Sequence, residues 1–244
     1  MGHEWQQRDE AIVAAGIDDV WAAIATGPGI GSWFMGRTQV EPGPDGTVTI
    51  DVGGFAMTSS VTTWDPPHRF GYRSDGPGDQ FIAFEFLIEA REGSGTALRL
   101  ISSGFLPGDD WQDEFEAMTV GGQMYFGTLV GYLDHFAGRF ARPVTVTGPP
   151  VADWPPVWAR LRAALGVGEA PDVGDAVRAT VPGVGQLDGV VDVVNSQILG
   201  IRTGDGLYRF IQGYFGSFVL GHHLFTDTDD PRAAQAWKTW LYGL

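Results

Sequence analysis

The apolar residues of this chain change their period between residues 103 and 109, and that change dictates the fold class. Between residues 47 and 103 they alternate; from about Asp109 to Gly138 they recur every three or four positions. Alternation places side chains on one face of a strand, and steps of three and four place them on one face of a helix. In the stretch 80–89, Ile82, Phe84, Phe86 and Ile88 share a face, while Ala83, Glu85 and Glu89 take the other. Val48, Ile50 and Val52 repeat the pattern, as do Phe70 with Tyr72 and Leu98 with Leu100. Turn residues separate these runs at Pro42-Gly43-Pro44-Asp45-Gly46, Asp65-Pro66-Pro67 and Glu92-Gly93-Ser94-Gly95. Strands so spaced form an antiparallel meander with one apolar face, which needs a cover. The following helix supplies it through Trp111, Phe115, Met118, Gly122, Phe126, Leu129, Leu133 and Phe136. Gly121-Gly122 in its middle costs roughly 1 kcal/mol per glycine relative to Ala, a cost expected where a cavity or another backbone needs room.

Residues 5–14 read as a strand ahead of the meander. Asp18-Asp19 open a helix, with Asp18 as N-cap and Val20, Trp21 and Ile24 as its buried stripe. Gly27-Pro28-Gly29-Ile30-Gly31 breaks that helix, and Ser32-Trp33-Phe34-Met35 suggests a second short one.

Composition narrows the chemistry. The 244 residues are 43% hydrophobic and 18% charged, the balance of a folded chain. Thirty acids against fifteen bases give a net charge of −15, which disfavours nucleic acid and anionic membrane as partners. Without cysteine there is no disulfide, thiolate nucleophile or zinc–cysteine site. The N-terminal stretch has no apolar core of a signal peptide, and no run approaches the ~20 apolar residues of a membrane span, so the cytoplasm is the expected location.

The candidate reactive groups resolve into structural roles. His222-His223 are adjacent in a strand, so they face opposite ways and cannot both hold one metal ion. The acids at 227, 229 and 230 suit a helix start, with Thr228 or Asp229 as N-cap and Pro231 near the first turn. His68 belongs to a turn, His135 to the end of the long helix, and His3 to a disordered start. The glycine-rich run at 27–31 lacks the Lys-Ser/Thr ending of a phosphate loop and reads as a tight turn between helices. Ser59, Ser60, Ser102 and Ser103 have no His or acid at a recognisable triad spacing. No cofactor, metal or catalytic residue is assigned.

The order strand, two short helices, meander and long helix resembles the START-like, helix-grip (SRPBCC) superfamily, in the branch related to the activator of the 90-kDa heat-shock-protein ATPase. The residues that carry the resemblance are Val20-Trp21-Ala22 with Ile24, Trp33-Phe34, and the strand–turn–strand Trp64-Asp65-Pro66-Pro67-His68-Arg69-Phe70-Gly71-Tyr72-Arg73. Gly121 to Leu129 with Tyr132-Leu133 matches the closing helix. The resemblance spans about residues 5–140 and implies an α+β fold, a curved antiparallel sheet wrapped on a long C-terminal helix.

The remainder reads as a shortened second copy. Val157-Trp158-Ala159 repeats the helix opening at Val20, and Val190 to Thr203 aligns without a gap on Val61 to Ser74, matching Gly200 to Gly71 and Arg202 to Arg73. Two strand-like runs and a terminal helix from Asp230, with Ala233, Trp237, Trp240 and Leu241 on one face, complete it. The expected organisation is a helix-grip domain at 1–142, a proline-rich linker at 143–152, and the shortened repeat at 153–244.

Helix-grip folds commonly leave an apolar cavity between sheet and helix, with a few polar groups inside. Its expected lining is Trp33, Phe55, Met57, Ser59, Tyr72, Phe84, Phe86, Ser102, Phe115, Met118, Gly122 and Phe126, with Tyr72 and Ser59 orienting a ligand. The leading functional reading is a non-enzymatic START-like protein that binds a small hydrophobic ligand there, or a protein partner. A cyclase- or hydrolase-type enzyme of the same superfamily and a co-chaperone-like protein-binding module are the alternatives. The enzyme ranks lower because none of the expected inward positions is His, Asp, Glu or Lys.

Overall fold

The computed structural model describes residues 3–52, 54–91, 95–106, 111–213, 216–226 and 232–244. The turn expected at 92–95 falls largely outside this set, as do the helix-start residues 227–231 and the side chain of Trp111. The chain divides into two units, Met1–Phe140 and Ala141–Leu244.

In the first unit, β1 (His3–Val13) precedes α1 (Ile17–Ala25) and α2 (Gly27–Ile30). The meander follows as β2 (Arg37–Val40), β3 (Thr47–Val52), β4 (Phe55–Asp65), β5 (Arg69–Asp75), β6 (Phe81–Ala90) and β7 (Thr96–Leu106). The 25-residue helix α3 (Trp111–His135) closes it. The sheet order is β1-β7-β6-β5-β4-β3-β2, and every neighbouring pair is antiparallel. Phe70, Phe86, Ile88, Leu98 and Leu100 lie buried on the inward face, with Leu129 and Leu133 buried on α3 and Phe136 buried just after it.

Three local expectations need correction. His3 is part of β1, paired with Leu106, and not in a disordered start. Helix α1 begins at Ile17 with Gly16 as its N-cap, and Asp18 and Asp19 sit in the first turn, where their charge still favours the helix. The second short helix lies at Gly27–Ile30 and not at 32–35. Pro28 suits a first turn, and the Thr26 hydroxyl accepts the Gly29 N–H at 3.1 Å. Gly29 also lies against α1: a Cβ there would stand 1.9 Å from the Ala22 carbonyl oxygen. The glycine run therefore reflects close helix packing.

The second unit repeats this plan. Its elements are β8 (Arg142–Pro150), α4 (Trp154–Ala164), β9 (Ala176–Val181), β10 (Gly185–Asn195), β11 (Ile198–Thr203), β12 (Gly206–Gln212), β13 (Ser217–Leu224) and α5 (Ala233–Tyr242). The sheet order β8-β13-β12-β11-β10-β9 is that of the first sheet without a counterpart of β2. The expected linker at 143–152 is thus wrong: most of it is β8, the counterpart of β1, paired along β13. Its prolines are tolerated because an edge strand leaves N–H positions unpaired.

The hairpin that suggested the repeat is conserved in geometry, with one correction. In β4–β5 the register shifts between Val61 and Thr63, with Val61 opposite Tyr72 and Thr63 opposite Gly71. In β10–β11 it shifts between Val191 and Val193, with Val191 opposite Ile201 and Val193 opposite Gly200. The bulge is retained, but the turn after Asn195 is one residue shorter than that after Asp65, so the gapless alignment is off by one along β10. Trp21 packs edge-on against Trp64 and Phe70. Trp158 borders a cleft with Val194 and Leu199, the register counterparts of those two residues.

Candidate functional site

The site is built on rows of side chains that cross the first sheet. Gln7 pairs with Ser102, Ser102 with Phe84, Phe84 with Tyr72, and Tyr72 with Val61. One row on, toward the free ends of β6 and β7, Trp5 pairs with Gly104 and Gly104 with Ile82. The row on the other side holds Asp9, Leu100, Phe86 and Phe70. Helix α3 crosses above them and presents Met118, Gly121, Gly122 and Tyr125, at the steps of a single helix face.

Between these layers lies a cavity of about 210 Å³. Trp5, Gln7, Trp33, Phe34, Tyr72, Ile82, Phe84, Phe86, Leu100, Ser102, Met118, Gly121, Gly122 and Tyr125 line it. Aromatic packing fixes the walls. Trp33 stands edge-on to Phe86 and Phe34, and its Nε1–H donates to the Ala23 carbonyl at 3.0 Å. Phe34 lies 4.2 Å from the Tyr125 ring, and Tyr72 lies 5.3 Å from Phe84. Trp5 occupies space that only glycine leaves open, since a Cβ on Gly104 would stand 2.7 Å from the indole Nε1.

The two helix glycines are not equivalent. A Cβ on Gly122 would rest 3.6 Å from the Gln7 amide, an ordinary contact. A Cβ on Gly121 would meet nothing within 4 Å. Gly122 thus seats Gln7, and Gly121 faces the open part of the site.

Of the residues expected to line the cavity, Trp33, Tyr72, Phe84, Phe86, Ser102, Met118 and Gly122 do so. Phe55 and Met57 do not; they are 69% and 46% exposed. They have the inward parity of β4 but precede the part that is covered, for burial along that strand begins at Ser59. Ser59 is buried, yet its Oγ is 2.5 Å from that of Ser74 and it is not among the residues that line the cavity. Phe115 packs against Trp5, and Phe126 is buried in the core; neither borders the cavity.

The sequence reading missed Trp5, Gln7, Phe34, Ile82, Leu100, Gly121 and Tyr125 as lining residues. It also missed a carboxyl. Asp9 faces inward on β1, and its Oδ2 accepts the Gln7 Nε2–H at 2.9 Å. Burial raises its pKa above the ordinary Asp value, partly offset by the Gln7 hydrogen bond. The expected inward positions hold no acid; Asp9 adds one to the inward face of β1, outside the cavity lining. The alternation of β1 was the signal available: Trp5, Gln7, Asp9, Ala11 and Val13 are more buried than Glu4, Gln6, Arg8, Glu10 and Ile12.

The remaining polar groups of the site are neutral. Burial raises the pKa of Tyr72 and Tyr125 well above the phenol range, so both stay protonated at neutral pH. Neither hydroxyl has a hydrogen-bond partner among the described residues. Among those residues no cluster of three or more His, Cys, Asp or Glu has metal-binding proximity, and no helix is long and apolar enough to cross a membrane.

Several solved structures are similar to part or most of this chain. A structure from Mesorhizobium loti is 20% identical and covers 54% of this chain and 98% of its own, with a TM-score of 0.47. The di-domain ARO/CYC protein BexL is 12% identical and covers 97% of this chain and 93% of its own, with a TM-score of 0.48. DynU16, from the dynemicin biosynthetic locus, is 18% identical and covers 97% and 95%, with a TM-score of 0.45. No curated protein matches the chain. The family model for activator of Hsp90 ATPase homolog 1-like proteins matches residues 14–134. With the sheet order and closing helix described above, residues 14–134 form an activator of Hsp90 ATPase homolog 1-like domain of the START-like superfamily.

Proposed function

We propose that the first unit binds a small hydrophobic ligand in the cavity beneath α3. The observation that carries this reading is the 210 Å³ space itself, walled by aromatic and aliphatic side chains and bordered by a glycine whose Cβ direction is empty. Packed interiors leave few voids larger than a water molecule, and a helix spends stability on mid-helix glycines. Binding is favoured over catalysis because the one inward carboxyl identified among the described residues, Asp9, is not among the residues that line the cavity and is engaged by Gln7. General acid–base chemistry needs a titratable group within hydrogen-bond reach of the reacting atoms.

The test uses the full chain and the neutral two-ring fluorophore prodan. Saturable blue-shifted emission is expected, lost in Gly121→Leu, whose side chain fills the open part of the site. Absence of saturable binding to the parent protein, or equal binding to Gly121→Leu, removes the reading.

A further inference from the structure

We infer that this cavity is selective for one- or two-ring aromatic molecules bearing a hydrogen-bond donor, and that Gln7, held by Asp9, reads that donor. The inference rests on the proposed ligand-binding role and specifies it.

Size comes from volume. An apolar cavity of about 150 Å³ holds one benzene ring, and sites for drug-sized ligands run to about 300–1,000 Å³. At about 210 Å³ this site falls between them. Shape comes from the walls, where the faces and edges of Trp33, Phe34, Phe84 and Tyr125 favour a flat ring system.

Polarity comes from β1. A carboxylate only accepts hydrogen bonds, so the Gln7 amide turns its N–H to Asp9. Its Oε1 is thereby left at the cavity wall with no hydrogen-bond donor among the described residues. An acceptor so placed is satisfied by a ligand O–H or N–H, and leaving it unmet costs binding free energy.

The second unit shows that the fold does not require this pair. In the register of the two sheets, Gln7 and Asp9 correspond to Val144 and Val146. Both valines are buried in a closed core. Polar residues at these positions therefore serve something other than sheet formation.

The test compares 2-naphthol with 2-methoxynaphthalene, which differ in the donor, by calorimetric titration of the full chain. The parent protein is expected to prefer 2-naphthol by about three- to tenfold, the worth of one neutral hydrogen bond. Gln7→Met should reduce that preference to unity, with circular dichroism and the denaturation midpoint showing that the variant is folded. Asp9→Asn, which frees the Gln7 amide to rotate, should shrink the preference in a protein folded by the same two measures. Estradiol, a four-ring phenol too bulky for a site of this volume, should bind at least tenfold more weakly than 2-naphthol. Equal affinities for the two naphthalenes, a preference that survives Gln7→Met, or tight binding of the four-ring phenol overturns the inference even if prodan binds. Failure of prodan and both naphthalenes to bind overturns the ligand-binding reading together with it.

Discussion

At equivalent places in their sheets the first unit has the row Gln7, Ser102, Phe84 and Tyr72, and the second has Val144, His222, Tyr208 and Ile201. The pairs Leu207–His223 and Phe210–Leu220 set Tyr208 opposite His222 in that register. Over the first row α3 offers two glycines; over the second α5 offers Trp237. The Trp237 indole lies 4.3 Å from His222 and against Tyr208 and Phe210, with Trp240 beside it. The same strand order thus carries a cavity in one unit and a solid aromatic core in the other. A sheet face and a helix fix only the distance between layers. The residues at the crossing decide whether that space is filled, since tryptophan supplies the volume that two glycines withhold. A ten-residue helix also covers less sheet than a 25-residue one, so the second unit depends more on each large side chain.

The comparison breaks most sharply at Trp237. Replacing it by Ala removes a fully buried indole and is expected to destabilise the second unit by about 3–5 kcal/mol, measured by chemical denaturation followed by circular dichroism. A loss below about 1 kcal/mol would mean that this core is as loosely filled as the first.

A smaller effect is expected from pH. His222 Nδ1 accepts the Arg209 backbone N–H at 3.1 Å, so the ring proton sits on Nε2. Burial, chiefly, and the nearby His223 and Arg209 hold its pKa well below the ordinary value. The folded imidazole stays neutral where the unfolded one takes up a proton. The unfolded state therefore binds more protons below about pH 6.5, and stability falls as pH drops, by roughly 1 kcal/mol per pH unit until the folded ring protonates. Denaturation midpoints of the parent and His222→Leu between pH 7 and pH 5 check this; the contribution should vanish in the variant. A parent slope unchanged by the substitution would place the proton uptake elsewhere.

Gly122→Ala sharpens the comparison from the other side. The added methyl meets Gln7 at an ordinary distance, so helix propensity should dominate and stabilise the first unit by about 0.5–1 kcal/mol, with prodan binding retained. Destabilisation in a thermal melt would show that Gln7 cannot share the site. The smallest change belongs to Phe55→Ser and Met57→Ser, expected within about 0.5 kcal/mol because both side chains are already solvated.

The hydrophobic period carried most of the fold. It located each strand of the first meander to within a few residues and showed which residues share a face. The cavity was less legible. Phe84, Phe86 and Tyr72 were readable because they alternate in the middle of strands that must be covered. Phe55 and Met57 follow the same alternation and fail, because parity states which face a residue takes and not whether the cover reaches it. Gln7 and Asp9 were passed over because polar residues in an N-terminal strand read as solvent-facing; pairing β1 with β7 turned them inward.

The order of residues alone displayed what is local and periodic: strand, turn and helix, the one-faced sheet, the glycines in α3, and the repeated hairpin. Long-range pairing and packing settled that residues 142–150 are a strand, that both hairpins carry a bulge, that Gln7 rests on Gly122, and that Gly121 faces open space. Secondary structure follows from interactions within a few residues, which a sequence displays directly. Whether a gap remains between layers depends on the volumes of side chains brought together from β1, β5, β6, β7 and α3, whose juxtaposition is set by long-range pairing and packing.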